Sequence, residues 1–327
     1  MYKPPIFLAG IERSGTSLMY ALLASHSGIA MTRRTNLWTY FYNRYGDLSN
    51  PDNFERCLAK MMQYKRLRHL KPDPDRIRRE FFSGEKTYAR LFSLLEEHFA
   101  DSQGKERWGD KSLNTERYVN QIMVAYPGAK VIHMIRDPRD RFASARTRWK
   151  SMKGLAGAGT AMWLQSASLA EKNHARFPNN YKVVRYETLV AQPEETLREI
   201  CEFIGEPYDP DMLSMKGSPR LLDKGSNSSY GKRKPGTIST DSIARYRKIL
   251  QPADIAFIQS LSFKEMKKYG YAVDDLNFST KEQLRYLLLD WPINLTRMLV
   301  WTAKESVLNL RGRSLPARRL ISNSHNL

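Results

Sequence analysis

The apolar run Ile6-Phe-Leu-Ala9 passes directly into "GIERSGTS" (Gly10–Ser17), after which Leu18, Ala21 and Leu22 recur on one helical face. A continuous apolar run, a glycine turn and a helix form the βα unit of a buried parallel sheet. The spacing of the turn is that of a phosphate-binding loop, G-x-x-x-x-G-K-[ST], with one departure: Thr16 stands at the lysine position, and Arg13 lies three residues earlier. In such a turn the backbone N–H groups point at one spot, and the helix dipole adds positive potential there. Gly10 and Gly15 permit close approach, Ser14, Thr16 and Ser17 add hydroxyl donors, and Arg13 offers a planar fork for phosphate oxygens. The loop is built for an anion.

The same alternation continues downstream. Residues 85–101 and 115–126 carry apolar side chains at helical spacing, and Lys130–Ile135 ("KVIHMI") reads as a second strand. Pro138 opens a helix predicted to reach about Lys150. Residues 181–185 form a third strand, followed by a helix over Pro193–Ile204 with Glu194 and Glu195 in its first turn. Strands alternating with helices predict an α/β fold: a phosphate-loop parallel sheet flanked by helices. Residues 151–160 and 223–242 read as loops, the second holding Lys232, Arg233 and Lys234. With 327 residues the chain is expected to form one large domain over 1–275 and a basic, amphipathic helical extension over 276–327.

Arg136 follows the second strand, where ligands of open α/β sheets bind, and Ser144 lies eight residues on, two helical turns away. An arginine and a serine so spaced can clamp a second phosphate. Asp137, Arg139, Asp140 and Arg141 between them read as surface charges at a helix start. No downstream strand ends in an acid placed to hold Mg²⁺, and the loop lysine is missing, so nucleoside-triphosphate hydrolysis is disfavoured. A net charge of +19 points to an anionic partner: nucleic acid, a membrane surface or a highly charged small molecule. The basic run over 60–79 reads as a solvated helical face. Cys57 and Cys201 are far apart and read as buried thiols in a reducing compartment. No leader or membrane-spanning run is expected, which points to a cytoplasmic protein. Leu284–Trp301 reads as two short amphipathic helices broken at Pro292. That segment either docks on the main domain or, with Arg311, Arg313, Arg318 and Arg319 beside it, rests on an anionic membrane.

Taken together, "PIFLAGIERSGTS" and "VIHMIRDPRDRFASA" resemble the two cofactor motifs of the sulfotransferases that use 3'-phosphoadenosine 5'-phosphosulfate (PAPS) and release PAP. "RWGDKS" (Arg107–Ser112), "VVRYETLVAQPEETLREICEFIG" and "NSSYG" (Asn227–Gly231) are similar, in order, to segments of the carbohydrate and tyrosylprotein branch. The resemblance covers roughly residues 4–275. It implies that Arg13, Ser14, Gly15, Thr16 and Ser17 hold the 5'-phosphosulfate and that Arg136 and Ser144 hold the 3'-phosphate. It further implies that Tyr186 lies near the adenine, and that Ser228 and Lys232 belong to a loop closing over the cofactor.

Sulfuryl transfer needs no β/γ-phosphate pair and no metal bridge. It needs a stabilised leaving 5'-phosphate, an in-line acceptor and removal of the acceptor's proton. Lys111 and Arg13 are the expected charge-neutralising groups. Related enzymes carry a glutamate shortly after the first helix, but Ala30–Trp38 contains no carboxylate. Asp110 is the first candidate for the base, with Glu12 and His26 as alternatives, whereas His133 reads as a core residue. The expected activity is sulfuryl transfer to a hydroxyl or amine of a carbohydrate, glycolipid or other small metabolite. Two other classes fit parts of the pattern: a kinase-like phosphotransferase, and a basic protein binding membranes or nucleic acid.

Overall fold

The structure is a computed structural model that describes residues 2–148, 155–218 and 237–310. Its centre is a five-stranded sheet in the order β2-β3-β1-β4-β5. The strands are β1 (Ile6–Ala9), β2 (Ile29–Arg33), β3 (Arg107–Lys111), β4 (Lys130–Ile135) and β5 (Tyr181–Arg185). Strand β1 pairs in parallel with β3 and β4, and β2 pairs in parallel with β3. Two strands beyond the three expected are present. Neither "IAMTR" nor "RWGDK" is a continuous apolar run, because the charged ends of β2 and β3 carry residues for the loops that follow.

The flanking helices are α1 (Thr16–Ala24), α2 (Pro51–Gln63), α3 (Pro74–Phe82), α4 (Tyr88–Ser102), α5 (Val119–Ala125), α6 (Pro138–Arg148), α7 (Ala156–Arg176), α8 (Tyr186–Ala191) and α9 (Pro193–Ile204). The expected helix over 115–126 is divided into a 3₁₀ turn at Thr115–Arg117 and α5. Ala156–Thr160, expected in a loop, open α7; residues 151–154 lie outside the described residues.

Contacts divide the chain into two compact units. The first comprises Met1–Gly10, Gly15–Met134 and Ala170–Ser239; the second comprises Ile11–Ser14, Ile135–Leu169 and the chain from Thr240 onward. In the first unit β1 is buried on both faces. Phe7 and Ala9 join a core with Trp38, Phe54, Leu91 and Trp108, while Ile6 and Leu8 join another with Leu22, Leu189 and Ile200. Alternation of side chains across the strand thus feeds two apolar layers, which is why the run must be apolar throughout. Cys57 and Cys201 are buried free thiols in these layers, and burial pushes them up to about 12 and about 11.

The second unit has its own core of Phe142, Ala143, Ala156, Tyr246, Leu250, Ile255 and Ile258. It also corrects the reading of Asp137, Arg139, Asp140 and Arg141 as surface charges, for all four are buried. Arg139 pairs with Asp137 at 2.7 Å, donates to Gln259 and to the Ala272 carbonyl, and lies over the Tyr246 ring. Asp140 accepts from the backbone N–H groups of Ala244 (2.7 Å) and Tyr246 (2.8 Å). Buried charges persist only when paired and hydrogen-bonded, and here segments distant in sequence supply the partners.

After α10 (Tyr246–Ile249) and α11 (Pro252–Lys268), one helical run closes the described chain: α12 (Thr280–Arg285), a π-helical turn (Tyr286–Asp290) and α13 (Trp291–Leu310). Pro292 therefore does not break the segment. Proline removes one backbone donor and crowds the carbonyl four residues earlier, and the wider turn ahead of it relieves both effects. No helix among the described residues is long and apolar enough to cross a membrane.

Burial raises the Asp140 carboxyl to about 6, against an ordinary value of 3.8. Between these values the folded state binds more protons than the unfolded one, so this group's contribution to stability falls as pH rises from about 4 to about 6. Over that interval the wild type should lose up to about 3 kcal/mol relative to Asp140→Asn, a value obtained from the pKa difference. Urea unfolding of both proteins at pH 4 and 6.5 measures it; parallel pH profiles would refute it.

Candidate active site

The loop Gly10–Ser17 connects β1 to α1 through three left-handed residues: Gly10 (φ 116°), Arg13 (φ 72°) and Gly15 (φ 95°). A Cβ on Gly10 would lie 2.5 Å from the carbonyl oxygen of Met134 in β4, and one on Gly15 would lie 2.4 Å from the Tyr186 ring. Both glycines are thus required by close approach as well as by conformation. No side chain caps the start of α1, and its first turn has no acid. The leading N–H groups and the positive end of the dipole are therefore available to an anion. Ser14 and Thr16 are buried, whereas Ser17 is exposed.

Within the second unit the structure brings together Arg13, Arg136 and Ser144. Arg13 Nε donates to Ser144 Oγ at 2.8 Å, and Arg136 donates to the Arg13 carbonyl at 3.2 Å and to the Ser242 carbonyl at 2.7 Å. Arg13, expected on the phosphosulfate, is thereby joined to the pair expected on the 3'-phosphate. Arg141, buried beneath, donates to the Glu12 carbonyl at 3.1 Å, and its Nη2 lies 3.6 Å from Glu12 Oε2. Glu12 retains an exposed carboxylate, with 37% of its side-chain surface open. The indole N–H of Trp163 donates to the Arg136 carbonyl and anchors the start of this segment.

Within the first unit Lys111 ends β3, paired in register with Arg33, and its carbonyl accepts from the Arg34 N–H. The Lys111 side chain is largely buried. Beside it Asp110 is buried, and its Oδ1 accepts from Thr35 Oγ1 at 2.8 Å and lies 3.0 Å from Thr32 Oγ1. Burial raises the Asp110 carboxyl, while hydrogen bonds from Ser112, Thr35 and Thr32 and the Lys111 charge oppose the rise. His26 has both ring nitrogens engaged, Nδ1 accepting from the Gly28 N–H and Nε2 lying 3.0 Å from the Pro207 carbonyl. His133 is a core residue 2.6 Å from the Tyr181 hydroxyl, and burial lowers it to about 3. Ser228 and Lys232 lie outside the described residues.

Two buried acids were not found from the sequence. Glu96 on α4 lies 3.1 Å from Thr32 Oγ1, and burial together with the Asp110 charge holds its carboxyl well above the ordinary range. Thr32 Oγ1 thus lies between the two carboxyls, within hydrogen-bond distance of Glu96 and of Asp110. Glu116 accepts from the Gly10 N–H at 3.4 Å at the loop entrance, and its own carbonyl accepts from Asn173. Helical spacing marks Glu96 as one more helix residue, and only burial distinguishes it. A separate cavity of about 1230 Å³ in the first unit, lined by Trp38, Tyr42, Tyr88, Trp108 and Tyr126, contains none of the predicted site residues.

The sheet and its glycine loop define an α/β protein with an uncapped helix start at the carboxyl end of its central strand. The family model described as "Sulfotransferase family" matches residues 4–210, and the chain belongs to that family. An uncharacterized protein of Aquifex aeolicus is 27% identical over 283 residues, covering 82% of this chain and 34% of that protein. Protein-tyrosine sulfotransferase A of Caenorhabditis elegans is 26% identical over 224 residues, 64% of this chain and 52% of that protein. The Drosophila melanogaster protein-tyrosine sulfotransferase is 25% identical, covering 64% and 40%. The chain thus spans about a third to a half of the length of these relatives. Two solved structures share the fold. The sulfotransferase domain of the Synechococcus PCC 7002 olefin synthase has a TM-score of 0.57 at 22% identity, covering 84% of this chain and 98% of that one. The sulfotransferase domain of the curacin biosynthetic pathway has a TM-score of 0.56 at 17% identity, covering 83% and 99%.

Gly15→Ala tests the loop. A left-handed backbone that alanine disfavours and a clash with Tyr186 should together destabilise the fold by roughly 2–4 kcal/mol. Urea denaturation measures the loss. A change below about 0.5 kcal/mol, the usual size for a neutral surface substitution, would show that the approach to Tyr186 imposes no constraint.

Proposed function

We propose that this chain transfers a sulfuryl group from PAPS to a hydroxyl or amine of a carbohydrate, glycolipid or other small acceptor. The observation that carries the reading is the hydrogen bond from Arg13 to Ser144, with Arg136 on the Arg13 carbonyl. It sets Arg13 of the glycine loop beside the Arg…Ser pair within the second unit, which supports a donor with phosphates at two positions. Family membership supports the same reading. PAPS, when bound, supplies the sulfuryl group on a 5'-phosphate that leaves.

The residues have separable roles. The N–H groups of α1 with Gly15, Thr16 and Ser17 hold the 5'-phosphosulfate, and Ser14 braces the loop from its buried position. Arg136 and Ser144 hold the 3'-phosphate. On anion binding Arg13 exchanges its serine partner for phosphate oxygen, a stronger charge-assisted hydrogen bond. Tyr186, packed against Gly15, borders the adenine. Ser228 and Lys232 are assigned to cofactor closure by resemblance alone. Lys111 neutralises charge developing on the sulfuryl and leaving oxygens, a contribution worth far more in a dry site than in water.

For the proton of the acceptor, Glu12 is the candidate base whose carboxylate reaches solvent. Asp110 is assigned to positioning: its acceptor capacity holds Thr32 and Thr35 around the end of β3, next to Lys111. His26 serves the turn that follows α1. The kinase-like and nucleic-acid readings gain no support from particular residues.

Calorimetric titration with PAP should show a loss of about tenfold or more for Arg136→Ala and Ser144→Ala, as expected for charge-assisted phosphate contacts. Lys111→Ala should lower sulfate transfer about 100-fold while PAP affinity changes less than about threefold, because its interaction strengthens in the transition state. Unchanged PAP affinity in both former variants would overturn the assignment of the 3'-phosphate. Absence of transfer to every member of a broad glycan, lipid and metabolite panel would overturn the activity.

A further inference from the structure

In most helices lying on a globular core the apolar stripe faces inward and the polar residues face water. On the run over 280–310 the outward side is apolar as well. On α13 the packed side carries Asn294 and Glu305, both buried, and Asn294 Oδ1 accepts from the Gly157 N–H at 3.1 Å. Gly157 is matched to this contact, for a Cβ there would lie 1.8 Å from the Asn294 carbonyl oxygen. The opposite side carries Ile293, Leu299, Val300 and Val307, all exposed. Leu284, Leu287, Leu288 and Leu289 in the preceding turns are exposed by 55–64%. Of the thirteen large apolar side chains exposed among the described residues, eight lie on this run, so the apolar surface is concentrated there.

The charges around this face are biased. Lys281, Arg285 and Lys304 are exposed. Of the acids, Glu282 is engaged in the capping box with Ser279, Asp290 lies 3.6 Å from Arg285, and Glu305 is buried. From Ser306 to the end the sequence has four arginines and no acid. An apolar stripe with cationic flanks is complementary to an anionic lipid surface, where the stripe enters the acyl boundary and the cations meet the headgroups. A second copy of the chain is a poorer complement, because self-association on this face would bring like charges together. The run does not meet the requirements for spanning a bilayer, so it would lie along the surface for roughly 45 Å at the helical rise per residue.

We infer that the outward face of the 280–310 run docks the protein on anionic membrane surfaces, with Leu288, Ile293, Leu299 and Val300 as apolar anchors and Lys281, Arg285 and Lys304 as headgroup contacts. This rests on the exposed helix alone and stands whether or not the sulfotransferase reading holds. It places this run on the bilayer rather than through it.

The full chain is floated with vesicles of phosphatidylcholine alone and of phosphatidylcholine with 30% phosphatidylglycerol. The bound fraction should be at least tenfold higher on the anionic vesicles and should fall with added salt. Leu288→Glu with Leu299→Glu should abolish most of that binding, as should Lys281→Glu with Arg285→Glu in a second protein. Circular dichroism confirms folding, and either pair serves if the other fails to fold. Three results overturn the inference: equal binding to both vesicle types, anionic binding that survives the leucine substitutions, or no vesicle binding by a dimer that the leucine substitutions convert to monomer in sedimentation velocity.

Discussion

Strand β1 is buried on both faces between two apolar layers, and its chain must turn into α1 where its neighbour β4 passes within contact distance. That constraint organises the site. At Gly10 the backbone lies against the Met134 carbonyl, so only a residue without a side chain fits there. At Gly15 the Tyr186 ring fills the volume a Cβ would occupy. Between them the chain accepts positive φ even at Arg13, a cost that persists only where surrounding structure imposes it. The result is a helix start with neither a capping side chain nor an acid in its first turn, a local electrostatic vacancy suited to phosphate or sulfate.

The charges that follow β4 serve the same end by a different route. Asp137, Arg139, Asp140 and Arg141 form a buried network in the second unit rather than a solvated helix start. Taking them out of water is unfavourable unless each finds a partner: Arg139 for Asp137, Gln259, Ala272 and Asp274 for Arg139, the backbone at Ala244 and Tyr246 for Asp140, and Glu12 for Arg141. This network holds the helix that carries Ser144 and thereby sets the distance from Ser144 to Arg13. Breaking a buried pair costs far more than losing a surface one, so the geometry around Ser144 is over-determined.

Much of the architecture was legible in the primary structure, because the signals were local. A fully apolar four-residue run, a glycine turn and a 3.6-residue period require only near neighbours to be read, and they led to β1, α1, β4, β5 and α9. Strands β2 and β3 escaped because their residues mix threonine, arginine, aspartate and lysine, which a sheet tolerates when the strand ends at a functional edge. Helix continuity across Pro292 escaped because the compensation, a widened turn, has no sequence signature. The five motifs resembling the family were sufficient to anticipate the fold and the family, which do not depend on how each charge is paired.

By itself the sequence determined the βα unit, a glycine loop with Thr16 at the lysine position and Arg13 three residues earlier, and membership in the sulfotransferase family. The tertiary structure alone decided which charged groups are removed from water and what each then touches. It joined Arg13 to Ser144, buried Asp110 among hydroxyls, placed Glu96, its carboxyl held above the ordinary range, beside Thr32, and turned Leu287, Leu288, Leu289 and Leu299 outward. The reason is physical. Backbone conformation is governed by neighbours along the chain, whereas the state of an ionisable or apolar group depends on local dielectric and partners that only folding brings near.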